Sequence, residues 1–425
     1  MVAKYVDSMR ITNFIGKGDV YVVFDDSINF IIGLNGTGKT TLINLLRASL
    51  NCDSHALREI EFAEVQITFL PAAGKAKPIL TIKKNAESQR GSISYQYKEN
   101  SRAPTVELVS HLESRTGLSR WQISTLNLFG SEEEEHESNP ISEFLPKSIW
   151  LPLHRGLLSQ KLGIGESSNP IDRKISQLVV TTTKYLSSLD TIYSKQLEEF
   201  QQNYFLSLLN ATVEKIDDAF QLDMDEEQAN IEQIFKVLFK DDVKYKKHIS
   251  THFDKAKKSI STFKNEKALK YNDFIAISDT IRLHKLIENW KELQQDRVET
   301  FRPKIDFSNL LNDLLVNKKF RFDERNQPTF TAGKKTVDIA ELSSGEKQLF
   351  IMLTTSLIQE NSPFVYLADE PELSLHIEWQ RRLVDNLKSL NASAQIIFAT
   401  HSPDIVAGNQ RQVIRMEDLL RGESR

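Results

Sequence analysis

Gly33-Leu34-Asn35-Gly36-Thr37-Gly38-Lys39-Thr40 matches G-x-x-x-x-G-K-[ST] at every position. Glycines at this spacing let a loop wrap tightly and turn its backbone N–H groups toward an anion. A helix starting at the lysine adds its own unpaired N–H groups to the same target. Lys39 is expected to reach the β- and γ-phosphates of a nucleotide, and the Thr40 hydroxyl to take a Mg2+ position. Asn35, Gly36, Thr37, Gly38 and Thr41 complete the expected cradle. The flanks agree with this reading. Ile28 to Ile32 is an apolar run with strand character, and Leu42, Leu45, Leu46 and Leu50 give a helix from Lys39 to Ser49 an apolar face. A chance glycine turn needs neither flank.

Around this loop the first hundred residues read as short strands at Met9–Phe14, Ser27–Ile32, Glu64–Leu70, Ile79–Lys83 and Ser92–Tyr97. Ser131–Asn139, rich in glutamate, reads as a solvated loop. Ile149 to Leu153 suggests another strand. From about Ile171 to Val298 there is no glycine and no proline, and Leu186, Leu189, Tyr193, Leu197, Phe200, Tyr204 and Leu208 recur at helical steps. Two antiparallel helical arms joined by a tip fit that stretch, as a thick bundle or as a slender coiled coil. After Pro303 strand character returns at Lys319–Phe322 and Thr329–Phe330. The expected organisation is one α/β head split into residues 1–155 and 303–425, with residues 156–302 as a helical insertion.

Composition removes several classes. The 425 residues, 40% hydrophobic, suffice for a large core and a smaller second unit. No apolar run approaches about 18 residues, so no transmembrane helix is expected. The charged N-terminus, with Lys4, Asp7 and Arg10, does not resemble a signal peptide. Cys52 is the single cysteine, which excludes an internal disulfide and a cysteine-built zinc site within one chain. With a net charge of −4, any nucleic-acid contact must come from local charge. A cytoplasmic location is the simplest expectation.

Two further motifs carry chemistry. Phe364 to Asp369 is an apolar run ending in a carboxylate, a buried strand that delivers Asp369 to a sheet edge where it can hold Mg2+ through water. Glu370, one residue further, can polarise an attacking water, help worth about 10²–10⁴ in rate. Thr400-His401-Ser402-Pro403 follows a second buried strand, Gln395–Ala399. The blander reading, two acids ending a strand and a surface histidine, leaves the loop at Gly33–Thr40 without partners.

Leu342-Ser343-Ser344-Gly345-Glu346-Lys347-Gln348 resembles the LSGGQ-type signature of ABC ATPases, in the form seen in the RecF, Rad50, SMC and OLD group. As a sequence it is also a helix start, with Ser343 or Ser344 as N-cap and Glu346 in the first turn. Asp369-Glu370-Pro371-Glu372-Leu373-Ser374-Leu375-His376 resembles the Walker B and D-loop of the same group, with the Leu-His ending of its AAA-15/AAA-21 branch. The resemblance covers roughly residues 1–155 and 303–416. It implies an ABC-type P-loop head with a mixed sheet, an antiparallel β part and a helical insertion. It also implies an ATPase whose cofactors are ATP and Mg2+. His401 then lies near the γ-phosphate, and Ser343, Ser344 and Gly345 close over ATP held by the opposite subunit of a head-to-tail homodimer. For His376 the resemblance leaves packing, dimer contact and chemistry open. The sequence departs from the group in two places. No Q-loop glutamine is placed, Gln122 being one candidate, and the arginine that often follows Asn13-Phe14 is Ile15 here, which leaves the base contact open.

The single cysteine does not allow the CxxC hook of Rad50-like tips, and an insertion of about 130 residues at 1.5 Å per helical residue is short for SMC arms. Only Ser402 to Arg425 follows His401, so no TOPRIM nuclease domain of the OLD kind is expected in that place. The remaining resemblance is to stand-alone ATPases of anti-phage systems such as Septu and PARIS, which implies a separate effector protein, often a nuclease. The alternative is a DNA-repair or DNA-clamping ATPase of the RecF/Rad50 type. Its support is the basic stretch Lys240–Lys270, with Lys244, Lys246, Lys247, Lys255, Lys257, Lys258, Lys264 and Lys267 and interleaved Phe253, Phe263 and Tyr271. A solvated helical face is the plainer account of the same lysines. An ABC transporter subunit fits neither the insertion nor the form of the signature.

Overall fold

The computed structural model describes residues 3–71, 74, 76–85, 92–100, 103–110, 141–151, 170–209, 221–239, 243–266 and 270–422. Strands β1 (Ala3–Thr12), β2 (Val20–Val23) and β3 (Ile28–Ile32) lead into α1 (Lys39–Leu50) and a short α2 (Ser54–Glu59). Strands β4 (Glu64–Pro71), β5 (Ile79–Asn85), β6 (Ser92–Lys98), β7 (Val106–Ser110) and β8 (Ser148–Leu151) follow. Next come the helices α3 (Pro170–Leu209), α4 (Met224–Phe239), α5 (Val243–Glu266) and α6 (Tyr271–Leu314). The last part contains β9 (Lys319–Phe322), β10 (Pro328–Ala332), β11 (Lys335–Val337), α7 (Ser344–Leu357), β12 (Phe364–Asp369), α8 (Ile377–Leu390), β13 (Ala394–Ala399), α9 (Pro403–Val406), β14 (Val413–Arg415) and α10 (Met416–Leu420). The fold class is the expected one: an α/β head with parallel and antiparallel sheets, interrupted by helices.

The parallel sheet runs β14-β3-β13-β12-β8. β12 and β13 are buried along their whole length, as strands covered on both faces must be. Helix α1 packs on them and buries Leu42, Leu45, Leu46 and Leu50, each worth roughly 1.5–3 kcal/mol in transfer free energy. The antiparallel sheet runs β2-β1-β4-β5-β6-β7. Gln395, fully buried in β13, joins the two sheets. Its Oε1 accepts from Val6 N at 2.8 Å, and its Nε2 donates to Val6 O at 2.7 Å and to Asp25 O at 2.8 Å. A three-stranded sheet, β11-β10-β9, sits beside α7 through the buried rings of Phe307, Phe320, Phe330 and Phe350, with Phe330 and Phe350 centroids 5.7 Å apart.

The chain divides into two compact units, Met1–Lys184 with Asp306–Arg425, and Tyr185–Ile305. The second unit has its own core of Ile231, Ile234, Phe253, Ile277, Ile287 and Trp290, with Tyr193, Leu197, Phe200 and Tyr204 packed against it. Parts of four helices build this core, so the segment is a bundle rather than two simple arms. The start of α4 is set by a cap: Asp223 Oδ1 accepts from Asp225 N and Glu226 N at 2.9 and 3.2 Å. No glycine or proline marks that boundary. Pro303 also differs from the expectation, because it lies inside α6, which runs on to Leu314. A proline removes one helical hydrogen bond and crowds the preceding turn. The buried Phe307, Leu311 and Leu314 beyond it supply the packing that keeps the last turns helical.

Candidate active site

Strand order brings the three motifs together. β13 lies between β3 and β12, with Ala399 paired to Ile31 on one side and to Asp369 on the other. Parallel neighbours are about 4.8 Å apart, so the loops leaving the carboxyl ends of β3, β12 and β13 open onto one rim of the sheet. Thr400 N donates to Ile31 O at 3.1 Å and Glu370 N to Ala399 O at 2.7 Å, which extends the ladder to the first residues of those loops.

The loop after β3 turns through Gly38, whose φ of +102° is open to glycine and costly for any side chain. A Cβ there would also lie 3.0 Å from Phe14 and from Ile15, so these two residues form the floor of the loop. Asn35, Gly36 and Thr40 are exposed, and Thr37, Gly38 and Thr41 half-buried. The first N–H groups of α1 have no acceptor within the helix. Lys39 is buried, and its Nζ donates to Gly33 O at 2.8 Å and Leu34 O at 3.2 Å. A phosphate entering the loop would meet an ammonium already held at its mouth.

Two residues that brace this loop were not read from the sequence. Lys17 Nζ donates to Gly36 O at 2.8 Å. Glu417 Oε1, from α10, accepts from Leu34 N at 2.7 Å. That hydrogen bond, with a second from the Glu417 backbone and the charges of Lys39 and Arg415, holds the Glu417 carboxyl below its ordinary range despite opposing desolvation. Lys17 was accessible to inspection, lying four residues past Asn13, but Glu417 is nearly four hundred residues from the loop it serves.

Asp369 ends β12 and is 2% exposed, whereas Glu370 steps out of the strand with φ +51°. A left-handed conformation costs a non-glycine residue about 1–3 kcal/mol, and here the Glu370 N–H bond to Ala399 O helps hold it. The turn brings Glu370 Oε1 to 3.9 Å from His401 Nε2, close but beyond hydrogen-bond range. Asp369 and the Thr40 hydroxyl are hard oxygen donors of the kind Mg2+ takes. Among the described residues no group of three or more His, Cys, Asp or Glu gathers to hold a metal.

Ser343 caps α7 in a full capping box: Glu346 N donates to Ser343 Oγ at 3.3 Å and Ser343 N to Glu346 Oε2 at 2.7 Å. Ser343 is exposed and Ser344 half-buried. Gly345 is buried, and a Cβ on it would lie 2.3 Å from Ser374 O. The signature thus packs against the turn after β12, a contact reinforced by Gln348 Nε2 donating to Pro371 O at 2.8 Å. Its next two charges are paired, Glu346 with Lys318 and Lys347 with Asp172, each at 2.7 Å. His376 caps α8, its Nδ1 accepting from Glu378 N at 3.4 Å.

The basic stretch is only partly as expected. Lys246, Lys247, Lys255, Lys258 and Lys264 are exposed on α5, but Lys257 pairs with Asp225 at 2.6 Å. Phe253 is fully buried in the bundle core, where it cannot stack on a base. Its spacing from Ile249, Ala256 and Ile260 places it on the apolar face of α5, whereas Lys247, Lys255 and Lys258 lie on other faces of the helix. Gln122 and the acidic run Ser131–Asn139 lie outside the described residues, as does the end of the Ile149–Arg155 segment.

No helix among the described residues is long and apolar enough to cross a membrane. The chain is similar to the Smc head domain with an extended coiled coil bound to the C-terminal domain of ScpA, from Pyrococcus furiosus, at 16% identity, 97% of this chain, 93% of that chain and a TM-score of 0.45. It is also similar to the Smc head domain with a coiled coil and joint from Pyrococcus yayanosii, at 15% identity, 97% of this chain, 94% of that chain and a TM-score of 0.41. The family AAA_15, AAA ATPase domain, matches residues 5–406. That match spans nearly the whole sequence, and the chain belongs to the AAA ATPase domain family.

Proposed function

We propose that this ATPase acts as a pair of heads that close on ATP, and that the closed state, relayed through its helices, controls a separate effector protein, a nuclease by preference, in bacterial defence against phage. Lys39 and the N–H groups of Asn35 to Thr41 hold the phosphates. Asp369, through water, and Thr40 would hold Mg2+, which would supply charge neutralisation to the phosphates. Glu370 orients and deprotonates the water that attacks the γ-phosphorus as the bond to the β,γ-bridging oxygen breaks. His401 donates to the γ-phosphate, and Ser343, Ser344 and Gly345 face the ATP of the second copy. The reading places this work in the cytoplasm.

The observation that carries the relay is the pair of ion pairs at the signature. Glu346 is tied to Lys318, just past the end of α6, and Lys347 to Asp172 in the first turn of α3. A signature engaged by ATP is thereby linked to both ends of the helical insertion. Co-expression with the product of the adjacent open reading frame tests the function. Under ATP, Glu370→Gln is expected to elute as a dimer and to retain that product. A chain that stays monomeric at saturating ATP, binds no neighbour product and protects against no phage overturns the reading.

The exposed lysines of α5 favour one second reading, a DNA-contacting ATPase. It requires DNA binding that weakens steeply with salt and is lost on Lys255→Glu with Lys258→Glu. No binding at about 50 mM salt removes it.

A further inference from the structure

Glu372 sits in the turn between β12 and α8, two residues past Glu370. Its Oε1 accepts two consecutive backbone hydrogen bonds, from His401 N at 2.8 Å and Ser402 N at 3.1 Å. Gln380 closes the circuit: its Oε1 accepts from Ser402 Oγ at 2.7 Å, and its Nε2 donates to Leu375 O at 3.0 Å and Glu372 O at 3.4 Å. Glu372 Oε2 is buried and accepts no hydrogen bond from the described residues.

The turn itself does not need this carboxylate. Its own bonds are backbone ones, Leu373 N to Glu370 O at 3.1 Å and Leu375 N to Glu372 O at 3.0 Å. Burying a carboxylate oxygen without a partner is unfavourable, so the compensation comes from the two charge-assisted bonds to the loop after β13. Those bonds fix the backbone from which the His401 ring reaches to 3.9 Å from Glu370. We propose that Glu372 is a positioning residue for ATP hydrolysis: it sets the place of the His401 imidazole beside Glu370 through the amides of His401 and Ser402, and neither takes the water's proton nor touches a phosphate. The proposal rests on the roles given above to Glu370 and His401.

Steady-state turnover of Glu372→Ala, Glu372→Gln, His401→Ala and the double variant Glu372→Ala/His401→Ala tests it. A glutamine keeps an oxygen that accepts both amides, and an alanine keeps none. Misplacing a reacting group by about 1 Å costs up to 10²-fold, so Glu372→Ala is expected to lower kcat about 10- to 100-fold with KM for ATP nearly unchanged. Glu372→Gln is expected to recover most of the loss, and the double variant to be no slower than His401→Ala. Two results overturn the proposal: Glu372→Gln as slow as Glu372→Ala, or Glu372→Ala slowing His401→Ala by the factor seen in the parent protein. Full turnover in His401→Ala alone removes the underlying role of His401 instead.

Discussion

Lys347 Nζ lies 2.7 Å from Asp172 Oδ1, joining the first helical turns of the signature to the first turn of α3 across 175 positions of sequence. The ammonium is nearly buried, with a side-chain exposure of 10%, and Asp172 also sits at a helix N-terminus, where negative charge is favoured. Asp172→Ala leaves a buried ammonium without its carboxylate and is expected to destabilise the head by about 1–3 kcal/mol. The exchange Lys347→Asp with Asp172→Lys should restore part of that in thermal melts. If the double exchange melts no higher than the single variants, the pair has no specific contribution.

Gly345→Ala tests the approach of the signature to the turn after β12. The added methyl would sit 2.3 Å from Ser374 O, a backbone atom that cannot rotate away. Either α7 or the turn must shift, so turnover is expected to fall at least tenfold, the order expected for angstrom-scale misplacement. Nucleotide binding, read with a fluorescent ATP analogue, should persist because the loop at Gly33–Thr40 is untouched. Turnover equal to the parent protein would show that the close approach is not required.

Lys39→Ala and Glu370→Gln should separate binding from hydrolysis. The first removes the ammonium now held between Gly33 O and Leu34 O and is expected to abolish ATP binding. The second keeps the left-handed turn and the shape of the side chain but removes the base. It should retain ATP and accumulate as dimer in light scattering. Equal ATP turnover in Glu370→Gln and the parent protein would remove Glu370 from the base role.

Glu417 makes a prediction about acid stability. The Leu34 N–H holds its carboxyl below the ordinary glutamate value of 4.5. A depressed carboxyl contributes stability that is fully present above the unfolded value and disappears as pH falls through the folded one. Glu417→Gln should therefore melt lower than the parent at pH 7, with the gap closing as pH falls below about 4. A gap that persists unchanged to pH 3 would assign the difference to packing.

Much of the site could be read locally. A phosphate loop is a contiguous device, so Gly33 to Thr41 was recognisable from spacing, flanking strand and amphipathic helix. The places of Asp369 and His401 in the fold were also legible, because Asp369 ends one run apolar enough to be a buried strand and His401 lies two residues past another. Glu372 was visible as a second acid of the same turn, but its acceptor role was not, since its partners are amides that any sequence possesses. Glu417 gave even less signal. Phe253 misled because aromatic residues among lysines suit nucleic acid and an amphipathic core equally well, and only the side of α5 it occupies separates the two.

Sequence alone determined the loop at Gly33–Thr40 and the helix that starts at Lys39, since glycine conformation and helix polarity act within nine residues. It also determined that a long glycine- and proline-free segment interrupts an α/β head, because periodicity is a local property of the chain. The tertiary structure decided which distant groups meet. Strand order placed β13 between β3 and β12, setting His401 beside Glu370, and helix packing brought Asp172 to Lys347. Those relations depend on the pairing of backbones and the filling of a shared core, which no single stretch of sequence encodes by itself.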